Sequence, residues 1–240
     1  QIILFADDGT AYTMRINEVP ATTGYGEPVT KYFKFADGVR VVSVISTDVR
    51  FTPADQPGKG ETPGGPYLLV ATSAGSVLRL PLAAFRTEST KSGRRFVKLD
   101  DGDKVVMVRL VGDETGVMLA SSGGHVIHFP VDDVSVLSGP GKGVIGIKID
   151  DEVCVGGMLV GGRFDKLVVE TEKGTTQEFG PGAIKVGSRA RVGEKPRERT
   201  RFSRVAAPPI ELVNWDEVDG KAPKKDAEKN GDGQGTLFDG

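Results

Sequence analysis

The sequence predicts an all-β fold in which about four copies of a four-stranded unit form one array. A glycine followed by alternating apolar residues occurs four times, at Gly9, Gly75, Gly124 and Gly174. A run rich in β-branched and other apolar residues precedes each glycine, as expected for a hairpin. Apolar residues recur at a period of two rather than at the i, i+3, i+4 spacing of an amphipathic helix, so the repeated elements are strands.

The spacing of these glycines gives the length of the repeat. Successive glycines are 66, 49 and 50 residues apart. The first interval contains the Pro- and Gly-rich residues 52–66, and without those 15 residues it shortens to 51. We therefore expect a loop insertion at this place. The predicted organisation is blade 1 over residues 1–50, the insertion over 51–66, blade 2 over 67–113, blade 3 over 114–162, and a degenerate blade 4 with a closing segment over 163–215.

Each copy is expected to continue after its hairpin with a polar loop, a short third strand, an acidic turn and a fourth strand. Third strands are predicted at Lys31–Phe35, Arg95–Leu99 and Val144–Ile149, and fourth strands at Arg40–Ile45, Lys104–Leu110 and Val153–Leu159. Four-stranded units at this period are typical of propeller-like blades, which complete their cores against their neighbours. An irregular β-sandwich is the alternative.

The regular pattern stops near residue 208. The segment Ile210–Trp215 is predicted to be a closing strand or a latch over an open sheet edge. Residues 216–240 are rich in Gly, Asp, Lys and Glu, so we expect a disordered acidic tail.

Composition excludes several classes of protein. Hydrophobic residues make up 38% of the chain, which is enough for a folded core, and the net charge of −2 by itself indicates neither a nucleic-acid nor a membrane partner. The single cysteine, Cys154, rules out a disulfide framework and a Cys-rich zinc site. No apolar run reaches the roughly 20 residues of a membrane helix, so we expect no membrane partner and a cytoplasmic location. Because the chain begins with Gln1 rather than Met, we expect a fragment of a longer polypeptide.

Positive charge is concentrated in the loops between the second and third strands. These rim loops are residues 91–95, 139–143 and 185–191, and their cations are Lys91, Arg94, Arg95, Lys142, Lys185, Arg189 and Arg191. Residues 185–204 alone hold eight Lys or Arg, among them Arg197, Arg199 and Arg201, and only two Glu. Glycines let backbone amides and arginines approach phosphates closely, and each neutralised phosphate adds salt-sensitive affinity. Largely sequence-independent binding of duplex DNA is the predicted function, although a run of charges is more often a solvated surface.

No catalytic constellation is visible, and no cofactor is predicted. His125 and His128 have odd spacing on one strand, so their side chains point to opposite faces, and no thiol or carboxylate cluster accompanies them. Cys154 lies in an apolar strand and is expected to be a small buried hydrophobe. The segment 139–143 lacks the Ser or Thr of a phosphate-binding loop, and no serine has a Gly-x-Ser-x-Gly setting.

Two stretches resemble a known family. The first is Ile3-Leu-Phe-Ala-Asp-Asp-Gly-Thr-Ala-Tyr-Thr-Met-Arg-Ile-Asn-Glu-Val-Pro20 with Gly24-Tyr-Gly-Glu-Pro28, which resembles the second blade of the C-terminal domain of the DNA gyrase A protein. The second runs from Val117-Met-Leu through Val126-Ile-His-Phe-Pro130 to Gly143-Val-Ile-Gly-Ile-Lys-Ile149 and resembles a later blade. The resemblance covers about residues 1–180.

The resemblance implies a β-pinwheel, whose blades exchange strands and whose basic rim wraps duplex DNA. The family includes the corresponding protein of topoisomerase IV, and the resemblance leaves the choice between the two enzymes open. It implies a noncatalytic domain of an ATP-dependent type IIA DNA topoisomerase, nucleoid-associated in bacterial cytoplasm, that presents DNA to the N-terminal breakage-reunion region and works with an ATPase B subunit. The catalytic tyrosine would lie outside this chain.

The sequence departs from the family in three respects. Four blades are visible where gyrase A domains usually have six. The Gln-Arg-Arg-Gly-Gly-Lys-Gly type heptapeptide of gyrase is absent, and its expected place is upstream of Gln1. In copy 4, Glu178-Phe-Gly-Pro replaces the basic-apolar-Pro pattern, and residues 197–204 replace the usual Gly-Val-x-x-Ile strand.

The end of the chain carries a short motif. Gln234, Leu237 and Phe238 resemble the Gln-x-x-Leu-Phe peptide that docks on the bacterial replication sliding clamp. The alternatives are a solvated tail, or an acidic tail that competes with DNA for the basic rim. For the whole chain, the alternative to DNA binding is a propeller-like protein-interaction scaffold, and an enzyme with an unrecognised site is a third.

Overall fold

The computed structural model describes residues 1–197 and 200–207, which form four antiparallel sheets in chain order. The strands are β1 (Ile2–Ala6), β2 (Thr10–Met14), β3 (Val41–Ser46), β4 (Tyr67–Thr72), β5 (Ser76–Pro81), β6 (Arg94–Arg95), β7 (Val105–Val111), β8 (Gly116–Ser121), β9 (Val126–Pro130), β10 (Val144–Ile145), β11 (Cys154–Val160), β12 (Leu167–Thr171), β13 (Thr176–Phe179) and β14 (Phe202–Val205). Four 3-10 turns lie at Ile16–Glu18, Val29–Lys31, Leu82–Phe85 and Val131–Asp133. The predicted all-β array is confirmed, and no helix in these ranges is long and apolar enough to cross a membrane.

Neighbouring sheets exchange strands. The strand orders are β3-β1-β2-β6, β10-β5-β4-β7, β11-β8-β9 and β13-β12-β14, which we call blades 1 to 4. Strand β6 comes from copy 2 but pairs with β2 of blade 1, and β10 comes from copy 3 but pairs with β5 of blade 2. Copy 4 does the same with isolated bridges, since Val186 and Glu194 pair with β9 of blade 3. Each of these third segments, which we call donor segments, therefore completes the preceding blade.

The hairpin strands of blades 2 and 3 are apolar on both faces because each of these blades lies between two others. In β4, Leu68 and Val70 pack toward blade 1, whereas Leu69 and Ala71 pack toward blade 3. The same alternation places Met118 and Ala120 of β8 against blade 4. The hydrophobic core is thus a series of layers between blades.

The two edges of each blade face different neighbours. The fourth strands β3, β7, β11 and β14 contact one another in succession along the array. In blades 1 and 2 the donor segments lie at the opposite edge of the sheet, with the hairpin strands between. The fourth strands therefore form the inner edge of the array, and the donor segments form its outer edge.

Three predicted details of the strands were wrong. Residues Lys31–Phe35 do not form a strand, because Lys31 ends the 3-10 turn at Val29–Lys31 and no described strand of a preceding blade is there to pair with residues 32–35. Phe33 and Phe35 instead pack on Tyr12, with ring centroids 5.0 and 4.5 Å away, and cover the outer face of blade 1. The strands predicted at Arg95–Leu99 and Val144–Ile149 are only two residues long, at 94–95 and 144–145.

Blades 3 and 4 have three strands each in the part of the chain that is described, not the predicted four. In blade 3 the donor segment makes only isolated bridges. In blade 4 nothing among the described residues pairs with the free edge of β13. The predicted closing segment Ile210–Trp215 and the predicted tail, residues 216–240, lie outside the described residues.

The hairpin glycines are required where a donor segment passes. Gly75 has a φ of +82°, and a methyl group on it would lie 2.4 Å from the carbonyl oxygen of Ile147 in the donor segment of copy 3. Gly174 has a similar φ of +75°, but a methyl group there would have no described atom within 4 Å. Both glycines therefore allow the left-handed turn, but only Gly75 also makes room for the backbone of a donor segment.

We expect Gly75→Ala to destabilise the protein more than Gly174→Ala does. Both variants bear the strain of a positive φ, about 1 to 2 kcal/mol, whereas only Gly75→Ala also pushes a backbone away, which adds about 1 to 3 kcal/mol. Urea denaturation of both variants measures the difference. Equal free energies of unfolding would show that the donor segment does not need the glycine.

Candidate nucleic-acid interface

The donor segments of copies 2 and 3, and the matching segment of copy 1, carry a lysine at the same place, and we call these three residues the donor lysines. The motifs are Phe33-Lys34-Phe35-Ala-Asp37, Val97-Lys98-Leu99-Asp-Asp101 and Ile147-Lys148-Ile149-Asp-Asp151. All three lysines are exposed, while Phe33, Val97 and Ile147 beside them are buried. Burial of the preceding apolar residue therefore points each lysine outward, since successive side chains of an extended segment alternate in direction.

Each of these lysines is joined to the rim loop of the next copy. The amides of Lys34, Lys98 and Lys148 donate to the carbonyls of Lys91, Gly141 and Arg191, over 2.7, 3.0 and 2.8 Å. A donor lysine and a rim loop thus adjoin three times along the outer edge. We call this surface, made of Lys34, Lys98, Lys148 and the three rim loops, the basic belt.

Some predicted DNA-binding side chains on the belt are open to solvent. The exposed side chains of Lys91, Arg95 and Lys185 make no hydrogen bond or ion pair with the described part of the chain. Arg191 is also exposed and donates only to the Ser188 hydroxyl, over 3.0 Å. These four cations are available to a ligand without breaking an ion pair.

Other predicted cations have partners. The Arg189 guanidinium donates to the carbonyls of Asp133 and Ile145, each over 3.0 Å, so it braces its own rim loop. Arg94 donates to the Ala84 carbonyl and to Thr87. Both retain their positive charge, but a phosphate must compete with these partners for their N–H groups.

Two further predicted cations form ion pairs with carboxylates. Lys142 pairs with Asp100, and Arg201 pairs with Glu172 at 3.3 Å. Arg197 is exposed. Arg199 lies outside the described residues, as do Gln234, Leu237 and Phe238 of the predicted clamp-binding peptide.

The sequence prediction named only cations of the loops and did not include the donor lysines. Their signal was present in the sequence, because an apolar-Lys-apolar triplet followed by an acidic turn occurs three times. Lys98 and Lys148 are 50 residues apart, which is the period of the hairpin glycines. Reading the repeat at every position, rather than at its glycines alone, would have found them.

The acidic turns limit the belt on one side. Asp37, Asp100, Asp101, Asp150 and Asp151 follow the donor lysines directly, and they are exposed. Carboxylates repel phosphates, so an anionic ligand would be confined to the rim-loop side of the lysines.

We expect Asp100→Asn to strengthen duplex binding several-fold, because it removes a negative charge and frees Lys142 to contact a phosphate. Asp101→Asn is the matched control, since it changes the net charge equally and Asp101 makes no ion pair with Lys142. Fluorescence anisotropy with a labelled random duplex measures both affinities. If the two variants gained equally, the Lys142 ion pair would be irrelevant to binding.

The side chains that other kinds of chemistry would use have structural roles. Cys154 is buried, and burial raises the pKa of its thiol to about 12, so it is a small hydrophobe as predicted. The Ser121 hydroxyl donates to Glu152 over 2.6 Å, and His125 lies 3.4 Å from the same carboxylate. Ser121 is only 1% exposed, which leaves no room for a substrate. Within residues 1–197 and 200–207 no cluster of His, Cys, Asp or Glu is suited to hold a metal ion.

The strand exchange and the layered cores define the class of this protein, a β-propeller of the strand-exchanging type called a β-pinwheel. A family model described as the DNA gyrase C-terminal domain, beta-propeller, matches residues 1–48, 66–111 and 117–160. The chain belongs to this family, as the resemblance in its first and third copies predicted.

Similar proteins agree with this assignment. The chain is 29% identical over 154 residues to the DNA gyrase A protein of Chlamydia muridarum, a match that spans 63% of this chain and 17% of that protein. It is 27% identical over 194 residues to the DNA gyrase A protein of Klebsiella oxytoca, spanning 80% of this chain and 21% of that protein. The chain therefore corresponds to about a fifth of the length of these relatives.

Solved structures show the same fold. A crystal structure of the C-terminal domain of DNA topoisomerase IV matches with a TM-score of 0.72 at 19% identity, over 86% of this chain and 63% of that one. The C-terminal domain of E. coli ParC matches with a TM-score of 0.65 at 20% identity, over 85% of this chain and 80% of that one.

Proposed function

We propose that this chain is a noncatalytic domain that binds and wraps duplex DNA for a type IIA topoisomerase. The observation that carries the proposal is the basic belt, in which a donor lysine and a rim loop meet three times along the outer edge of the array. Repetition of the same contact suits a ligand with a repeating backbone. Phosphate contacts of this kind are independent of sequence and weaken with salt.

Wrapping requires that the contacts outweigh the stiffness of DNA. Bending 20 to 30 base pairs through a large angle takes on the order of several kcal/mol. The four uncommitted cations Lys91, Arg95, Lys185 and Arg191, together with the three donor lysines, could each contribute about 1 kcal/mol at 0.15 M salt. Their sum is of the right size to hold a bent duplex on the belt.

The parent enzyme is, in this proposal, an ATP-dependent type IIA topoisomerase of the bacterial cytoplasm whose catalytic tyrosine lies outside this chain. The domain would present a DNA segment to the breakage-reunion region, while the ATPase B subunit supplies the energy. Membership in the gyrase C-terminal domain family supports these partners. Docking of Gln234, Leu237 and Phe238 on a sliding clamp rests on the sequence motif alone.

Two measurements test the proposal. Binding to a random duplex is titrated at several salt concentrations, and plasmid is relaxed by a nicking-closing enzyme in the presence of the domain. We expect affinity to fall steeply with salt and the linking number to shift. Affinity that is indifferent to salt, or no binding, would overturn the proposal in favour of a protein-interaction scaffold. Salt-sensitive binding without a linking-number shift would retain DNA binding and remove wrapping.

A further inference from the structure

In blades 1, 2 and 3, one residue of the second strand hydrogen-bonds to the segment that leads into the following rim loop, a contact that we call a clamp. These residues stand four places after the hairpin glycines, and in blades 1, 2 and 3 they are Thr13, Arg79 and His128. Their side chains hydrogen-bond to the carbonyl oxygens of Phe85, Val134 and Ile184, over 2.7, 2.5 and 3.4 Å respectively.

The same three residues make a second bond with their main chains. The carbonyl oxygens of Thr13, Arg79 and His128 accept from the amides of Ser89, Leu137 and Gly187, over 3.0, 2.9 and 2.9 Å. Each rim-loop segment is therefore held at two points by a single residue of the preceding blade. The two contact points are three residues apart for Arg79 and His128 and four apart for Thr13, and the three side chains are chemically unrelated.

Blade 4 has no such clamp within the described part of the chain. The corresponding residue is Glu178, whose carboxylate cannot donate to a carbonyl when ionised and instead pairs with Lys166 at 2.6 Å. Gly174 likewise has open space where Gly75 meets a donor segment. The clamp is thus present where a described rim loop lies on the preceding blade, and absent where none does.

The clamp at His128 bears on the loop with the most positive charge. Its bond to Ile184 is the longest of the three, and a pocket of about 290 Å³ is lined in part by His128, Lys185 and Arg191. Val186 in the loop is 54% exposed, whereas Ile184 before it is 1% exposed and packs in the core between blades 3 and 4. Hydrogen bonds therefore set the position of the exposed residues that follow Ile184.

The two ends of this rim loop are fixed by different groups. Arg189 and the amide of Ala190 attach its far end to copy 3, the latter through a bond of 2.8 Å to Gly146. At its near end His128 bonds to Ile184, whose side chain is buried, and the amide of the following Lys185 donates to the Glu194 carboxylate over 3.2 Å. His128 itself is 6% exposed, so it acts from beneath the loop and does not contact solvent ligands.

We propose that His128 is a positioning residue, which holds Lys185 at the belt by clamping Ile184 and Gly187. The inference rests on the proposed DNA binding for its functional consequence, but the clamp itself is independent of DNA. The imidazole must carry its proton on Nδ1 to donate to the carbonyl of Ile184, and a side chain of similar reach with an N–H donor can replace it.

The test compares His128→Gln, His128→Arg and His128→Leu. Glutamine retains an N–H donor, arginine reproduces the clamp of blade 2, and leucine fills space without donating. We expect His128→Leu to raise the hydrogen-exchange rate of the Gly187 amide about tenfold or more and to weaken duplex binding about fivefold, the loss of one phosphate contact. Glutamine and arginine should restore slow exchange, and glutamine should restore affinity. His125→Leu is the control, because the hydrogen bonds of the His125 ring go to Ser121 and Glu152 rather than to the rim loop.

The outcomes are distinguishable. Equal exchange rates at Gly187 in the Gln and Leu variants would overturn the clamp, whatever the affinity for DNA. Restored exchange with no change in duplex binding between the variants would overturn the positioning of Lys185. If the unsubstituted chain bound no duplex while the exchange pattern held, the proposed function would fail and the clamp would stand.

Discussion

Replacing Lys34, Lys98 and Lys148 together with glutamine should weaken duplex binding roughly a hundredfold at 0.15 M salt. These exposed lysines recur once per copy, and each lies beside a rim loop through one backbone hydrogen bond. Losing three phosphate contacts should also lower the slope of log affinity against log salt by about 2.7, or 0.9 per contact. Anisotropy titrations at four or more salt concentrations give both quantities.

The matched control replaces Lys59, Lys166 and Lys173 with glutamine. This variant loses the same charge, but Lys59 lies in the insertion and the other two lie on blade 4, away from the donor lysines. Its salt slope should stay within about 0.5 of the unsubstituted value. If both triple variants lost affinity equally, net charge rather than the belt would account for binding.

Phe96→Ala should destabilise the array by about 3 to 5 kcal/mol. Phe96 belongs to the donor segment of copy 2, is fully buried, and makes edge-on contacts with Phe5 and Phe85 at ring-centroid distances of 5.1 and 6.3 Å. Truncation leaves a cavity in the core between blades 1 and 2 that the three rings share. Thermal unfolding should shift down by roughly 10 °C for a domain of this size.

Phe164→Ala is the control, because Phe164 is 78% exposed and should change the free energy of unfolding by less than about 0.5 kcal/mol. A small effect of Phe96→Ala, comparable with this control, would mean that the donor segment does not hold the blades together. Normal stability with weakened DNA binding would place Phe96 at the belt rather than in the core.

Hairpins and the repeat were predictable from sequence because their signals are local. A glycine with positive φ between alternating apolar runs specifies a turn, and each of the four predicted hairpins is present. The length of the third strands was not predictable in this way. Each of these strands, at 94–95 and at 144–145, is only two residues long. Its partner strand belongs to another copy, so the pairing register is set by contacts between residues more than 60 positions apart in sequence.

The candidate interface was predictable in part. Sequence showed which loops are basic, since charge needs no tertiary context. It did not show that Arg94 and Arg189 turn toward backbone carbonyls, or that Lys142 pairs with Asp100 across 42 positions. Those partners come from folding, and so does the role of His128, whose side chain meets Ile184 only when blades 3 and 4 assemble.

Because strands are exchanged, the sequence repeat and the folded blade are different units. A genetic repeat here runs from one hairpin through its donor segment to its fourth strand, but a complete sheet takes its outer strand from the following repeat. Deleting one whole repeat would leave its predecessor with an exposed edge unless the next repeat supplied a compatible strand. Blade number in such an array can therefore change internally only by exchanging interchangeable repeats.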